Sequence, residues 1–178
     1  ARRMNIASVP ALGDYIQDSE LSGLVRATLL EQLGTFSSPE ASDVVISTLT
    51  DADPLVRRAA VSSLLSTGTD LRWRILAPML RDQAKSVRLE VVRVLAPIVM
   101  DITAKQRKTM DAGIQEYREA ISLRRDTPSG QLALASLEFN LGNRGAALKA
   151  YQQALEIEPN FVPALINLAD FYRGGGQE

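Results

Sequence analysis

The stretch Asp51-Ala52-Asp53-Pro54-Leu55-Val56-Arg57-Arg58-Ala59-Ala60 decides the fold. An acidic turn leads into a proline, which suits the first turn of a helix because no amide hydrogen is needed there. Apolar residues at helical spacing follow, and each of these marks returns at a constant interval. Val25-Arg26, Val56-Arg57 and Val87-Arg88 lie 31 residues apart, as do Leu33, Leu64 and Leu95. The acidic residues Glu20, Asp51 and Asp82 keep the same interval, each six residues ahead of its arginine. Three positions in phase over three copies define a repeat. Val56, Ala60 and Leu64 in the second copy, and Val87, Val91, Leu95 and Ile98 in the third, fall on one helical stripe, which predicts inner helices facing a core. A shorter apolar segment precedes each: Val44-Val45-Ile46 with Leu49, then Ile75-Leu76 with Met79-Leu80. In the first copy the outer segment, Val9 to Ile16, sits two residues further upstream, which predicts a small insertion there.

From Thr103 the period changes. Tyr117 and Tyr151, Ala120 and Ala154, Leu134 and Leu168, Ala135 and Ala169, and Gly142 and Gly176 are all 34 residues apart. Alanine alternating with Leu or Tyr is what two closely crossing helices need, small where the backbones approach and large in the groove beside them. Thr103 to Leu123 is expected as one amphipathic helix with Met110, Ile114, Tyr117 and Ile121 on its stripe. The fold class that follows is all-α, a right-handed α-solenoid of helical hairpins. Its expected parts are about three hairpins over 1–100, a joining helix over 101–126, and one complete and one truncated repeat over 127–178.

The first array resembles HEAT-like repeats of the short bacterial kind. That resemblance implies a ladder between stacked repeats in which Asp51 acts with Arg57, Asp82 with Arg88, and Glu20 with Arg26. The second array resembles the tetratricopeptide repeat, with Leu134, Ala135, Gly142, Ala147, Tyr151, Ala154 and Pro159 at signature positions. Two residues depart from that pattern: Glu138 stands where the family usually has Tyr, and Gln131 where it has Trp or Leu. The order of parts, with Phe161-Val-Pro-Ala-Leu-Ile-Asn-Leu-Ala-Asp-Phe-Tyr-Arg, is similar to the C-terminal half of bacterial multihaem cytochromes. This last resemblance implies a periplasmic parent with haem motifs upstream, although the absence of cysteine by itself leaves a cytoplasmic location open.

Composition narrows the chemistry. With no Cys and no His, the chain has no disulfide, thiolate, imidazole base, Cys/His zinc site or haem attachment motif of its own, so no cofactor and no metal are expected. The formal charge of −1 provides no field to attract a nucleic acid or an anionic membrane, and no apolar run spans a bilayer. Asp51, Asp53 and Asp82 are patterned one repeat apart instead of converging on a pocket, which favours a structural role over acid–base catalysis. Arg26, Arg57 and Arg88 each have an acidic partner in register, which argues for neutralisation over phosphate binding. Lys105, Arg107 and Lys108 form a basic cluster expected as a solvated face or a docking patch for an acidic partner. Trp73 is expected to pack, and Gly174-Gly175-Gly176 lacks the strand and the Lys-Ser/Thr of a phosphate loop.

The function expected is a non-catalytic protein-interaction scaffold, because each repeat of a solenoid touches its neighbours and leaves a long face exposed. The predicted partner-binding groove comprises Leu132, Ser136, Phe139 and Asn140 from one first helix and Ile166, Asp170 and Arg173 from the next. A clamp for a C-terminal carboxylate needs Lys and Asn where Leu132 and Ser136 stand, and Asn167 alone fits it. The partner expected is a protein or peptide, other domains of the parent chain included, with a homodimer through the truncated last repeat as a further reading. Two other functions remain open: an enzyme or enzyme accessory, from the HEAT-like repeats of bilin lyases and DNA-alkylation glycosylases, and a structural spacer or dimerisation element.

Overall fold

The computed structural model describes residues 9–36 and 38–174, and among these it contains helices and no strands. The chain forms two compact units, Ala1–Leu95 and Ala96–Glu178.

Among the described residues the first unit is three helical hairpins: α1 (Val9–Gln17) with α2 (Gly23–Leu33), α3 (Pro39–Ser47) with α4 (Pro54–Ser63), and α5 (Thr69–Leu76) with α6 (Lys85–Leu95). The inner helices α2, α4 and α6 pack on one another in sequence. Their predicted stripe is fully interior, with Val56, Ala60, Val87, Val91 and Leu95 each at 0% exposure. Short polar residues set the helix starts. Ser22, Ser38 and Asp53 each accept a backbone N–H of the first turn, and Pro39 and Pro54 occupy first-turn positions that need no donor. From the end of each outer helix to the start of its inner helix the chain runs 6, 7 and 9 residues (Gln17 to Gly23, Ser47 to Pro54, Leu76 to Lys85), so the first copy carries no insertion between its two helices. What differs there is the outer helix. In the later copies a 3-10 turn, Thr48–Thr50 or Ala77–Arg81, extends it, whereas α1 gives way after Gln17 to an open turn. Trp73 lies half-buried on α5.

The ladder exists, and its pairing runs between copies. Nε and Nη2 of Arg57 donate to the carboxylate of Asp82, 25 residues ahead, at 2.8 and 2.9 Å. The guanidinium of Arg26 pairs in the same way with Asp51. Toward the acid six residues behind, the arginine uses the backbone: Arg57 Nη1 donates to the Asp51 carbonyl at 2.7 Å, and Arg88 Nη1 to the Asp82 carbonyl at 2.7 Å. Each aspartate also accepts the N–H two residues on, Asp53 onto Asp51 and Ala84 onto Asp82, both at 2.8 Å, which closes its own interhelix turn. One arginine therefore ties the turn of its own hairpin to the turn of the next, and its two reaches together span one period. Glu20 is corrected: it lies exposed in the open turn after α1, and Arg26 Nε donates instead to the Ile16 carbonyl at 2.7 Å. The early end of α1 removes the acidic residue from the position that Asp51 and Asp82 occupy.

The second unit begins with a 3-10 turn (Ala96–Ile98) and continues through α7 (Ala104–Ser122), α8 (Pro128–Asn140), α9 (Arg144–Ile157) and α10 (Val162–Arg173). The helix expected from Thr103 is α7, opened by a capping box in which Thr103 and Gln106 satisfy each other's backbone N–H. It packs against α8 and belongs to this unit, so the chain divides at Leu95 and not at 100. Between α8, α9 and α10 the core is a set of alanines, Ala135, Ala147 and Ala150, beside the rings of Tyr151 and Phe171.

Candidate functional site

The reversal from α8 to α9 sets the geometry of the site. Gly142 has φ +81°, the left-handed conformation that favours a residue without Cβ. Its N–H bonds to the Phe139 carbonyl at 3.0 Å and the N–H of Asn143 to the Glu138 carbonyl at 2.8 Å, a Schellman cap that folds α9 back along α8. The next loop brings α10 against both helices, so that α8 and α10 present side chains to a common depression above α9.

That depression is a cavity of about 250 Å³ lined by Ser136, Phe139 and Asn140 from α8, Tyr151 from α9, and Asn167, Asp170 and Phe171 from α10. Four of the seven predicted groove residues meet there: Ser136, Phe139, Asn140 and Asp170. The other three do not line it. Leu132 is half-buried against the alanine and aromatic cluster, Ile166 is 56% exposed on α10, and Arg173 holds Asp170 in an exposed ion pair at 2.7 Å.

The residues the sequence reading did not assign to the groove are its floor. Phe171 is buried, with its ring centroid 5.8 Å from Phe139, 6.1 Å from Tyr151 and 5.6 Å from Tyr172. Arg144 stacks on it, its guanidinium carbon 4.4 Å from the ring centroid, and donates to the Phe171 carbonyl at 3.0 Å. The Tyr151 hydroxyl is hydrogen-bonded with Ser136 and Asn167. Burial pushes the Tyr151 phenol above its ordinary value, more than those two hydrogen bonds lower it, so it stays protonated at neutral pH and gives Ser136 no base. An aromatic wall, two amide side chains and a carboxylate already paired to an arginine suit recognition of a peptide better than proton transfer.

The two departures from the repeat pattern have different environments. Glu138 is buried and pairs with Arg118 of α7 at 2.9 Å while accepting from Asn143 Nδ2 at 2.7 Å. Burial raises its carboxyl, but the bonds from Arg118 and Asn143 outweigh that and hold it below the usual carboxylate range. Gln131 is buried as well; its Nε2 donates to the Arg125 carbonyl at 2.7 Å, and its Oε1 receives no hydrogen bond.

Among known families, the HEAT repeats match residues 8–96 and the tetratricopeptide repeat matches residues 128–171. No curated protein and no solved structure matches the chain. The two matches agree with the repeat types read from the 31- and 34-residue intervals and with an all-α solenoid class. They lend no support to a multihaem cytochrome parent.

Proposed function

The chain belongs to the HEAT repeat family, and on that premise we propose that it is a non-catalytic protein-interaction scaffold, a repeat module of a larger protein, whose tetratricopeptide repeat holds a peptide or helix of a partner. Both repeat families generally mediate protein–protein interaction and are generally not catalytic. The observation that carries the reading is the cavity between α8 and α10, where Phe139 lies 38% exposed over a buried aromatic floor and Asn140 stands beside it. An exposed ring on a rigid support loses little freedom on binding, and an amide beside it can pair with a peptide backbone. A pull-down comparing the intact chain with the Phe139→Ala, Asn140→Ala double variant tests it. The intact chain should retain a partner, other domains of its parent included, that the variant loses at unchanged thermal stability. Equal capture by both proteins would contradict the reading.

A second reading, self-association, is favoured by one feature. Val162, Leu165, Ile166 and Ala169 form an exposed apolar stripe along α10, and Ala169 stands at the register position that Ala135, fully buried under α9, holds on α8. Light scattering over a range of concentrations separates a monomeric adaptor from a dimer. A periplasmic location rests on the cytochrome resemblance alone.

A further inference from the structure

The groove between α8 and α10 has a charge preference of its own. Its one charged lining residue is Asp170, and no cation stands on its walls. Arg173 takes a single oxygen of that carboxylate, Oδ1, in a pair whose arginine and aspartate side chains are 72% and 60% exposed, and a pair so open to water holds weakly. Oδ2 accepts no hydrogen bond among the described residues, and the half-buried side chain of Asn140 makes none either. The carboxylate is felt inside the groove. Burial raises the Tyr151 phenol most and the charge of Asp170 raises it too, while the two groups that lower it, Ser136 and Asn167, are neutral, so Arg173 does not cancel Asp170 at the floor. The aromatic cluster already holds one guanidinium. That of Arg144, which does not line the groove, has its carbon 4.4 Å from the Phe171 centroid and donates to the Phe171 carbonyl, stacking and hydrogen-bonding at once.

We propose that the groove takes an arginine side chain of the partner segment, its guanidinium stacked on the exposed ring of Phe139 and donating to Asp170 Oδ2 and the amide oxygen of Asn140. This rests on the groove reading above and names the side chain which that reading leaves open. A planar guanidinium stacks and donates together, which the compact ammonium of lysine does less well. An acidic segment would meet Asp170 with no cation on the walls to hold it. The cavity, at about 250 Å³, falls below the roughly 300–1,000 Å³ of small-molecule sites and suits one long side chain.

The test is fluorescence polarisation of the whole chain at physiological salt with labelled peptides, N-acetylated and C-amidated, in which alanine alternates with arginine, with lysine or with glutamate. The arginine peptide should bind saturably, the lysine peptide about threefold more weakly, and the glutamate peptide not at all. Asp170→Asn and Phe139→Leu should each weaken the arginine peptide about threefold. Glu156→Gln removes the same charge on a part of α9 outside the groove and should change nothing. Arg173→Gln frees Asp170 of its internal partner and should tighten binding about twofold, whereas Arg125→Gln, the same change of charge away from the groove, should not. All five positions are exposed, so the variants keep the fold. The proposal is overturned by absence of saturable binding of the arginine peptide, by equal losses in Asp170→Asn and Glu156→Gln, or by a lysine or glutamate peptide that binds as tightly. The pull-down with the Phe139→Ala, Asn140→Ala variant decides the groove reading separately: capture lost there but unchanged in Asp170→Asn would overturn the arginine and leave the groove standing.

Discussion

Replacing Arg57 with methionine keeps the aliphatic stem and removes the guanidinium that binds Asp82 at 2.8 and 2.9 Å and the Asp51 carbonyl at 2.7 Å. The Asp82 side chain is 11% exposed, so water replaces the lost donors only in part. Breaking a pair of this kind from one side costs about 3 kcal/mol, because a charge is left buried without its partner. Asp82→Asn keeps an acceptor for the Ala84 N–H and nearly the same volume, and should cost about 1.5 kcal/mol for the weakened bonds to Arg57. In the double variant no buried charge is stranded, so its cost should fall short of the sum of the singles by about 2 kcal/mol. Urea denaturation of the four proteins by far-UV circular dichroism, at matched slope, measures the cycle. Strict additivity, or single losses below about 0.5 kcal/mol, would refute the ladder as a source of stability. The acid limb gives an independent check. Arg57 holds the Asp82 carboxyl below its ordinary value. The pair's contribution is therefore present above the unfolded carboxyl pKa and is lost as pH falls through the depressed folded value, a loss that Asp82→Asn should remove.

Other variants probe the second unit. Gly142→Ala forces a Cβ into φ +81° and should cost about 1 kcal/mol, seen as a lower melting temperature. Glu138→Gln weakens the bonds to Arg118 and Asn143; since Glu138 too is held below the carboxylate range, the variant should lose stability at neutral pH and show a flatter acid limb in denaturant titrations. Leu165→Glu lies on the exposed side of α10, where the native side chain is 44% exposed, and should change monomer stability by less than about 0.5 kcal/mol while abolishing any concentration-dependent light scattering.

The 31-residue interval was legible because the ladder supports it: Arg57 reaches six residues back to Asp51 and 25 forward to Asp82, which fixes the distance between those two turns. Periodicity alone cannot show which reach is the ion pair, since both acids are in register, and the carboxylate proved to lie in the following copy. Glu20 misled for a related reason, because a matching letter does not reveal that α1 stops at Gln17 and carries the turn outward. Around the groove, Ser136, Phe139, Asn140 and Asp170 were readable from helical phase along α8 and α10. Phe171 and Arg144 were not, since their stacking arises where α10 crosses the start of α9, a contact 27 residues apart that no single-helix pattern encodes. The unmet acceptor on Gln131 was visible only as a polar residue in an apolar position; that it lacks a donor, while Glu138 does not, depends on which neighbours the fold brings.

The scaffold claim is tested most directly by site-specific photocrosslinking in the whole chain. A benzoylphenylalanine placed at position 139 stands at the mouth of the groove, and one placed at position 156 stands on an exposed part of α9 that does not line it. Residue 139 should give one discrete protein adduct that disappears when Asn140 is changed to alanine, and residue 156 should give none. Equal adducts from both positions, or none from 139 at partner concentrations that pull-down shows to be saturating, would contradict the account.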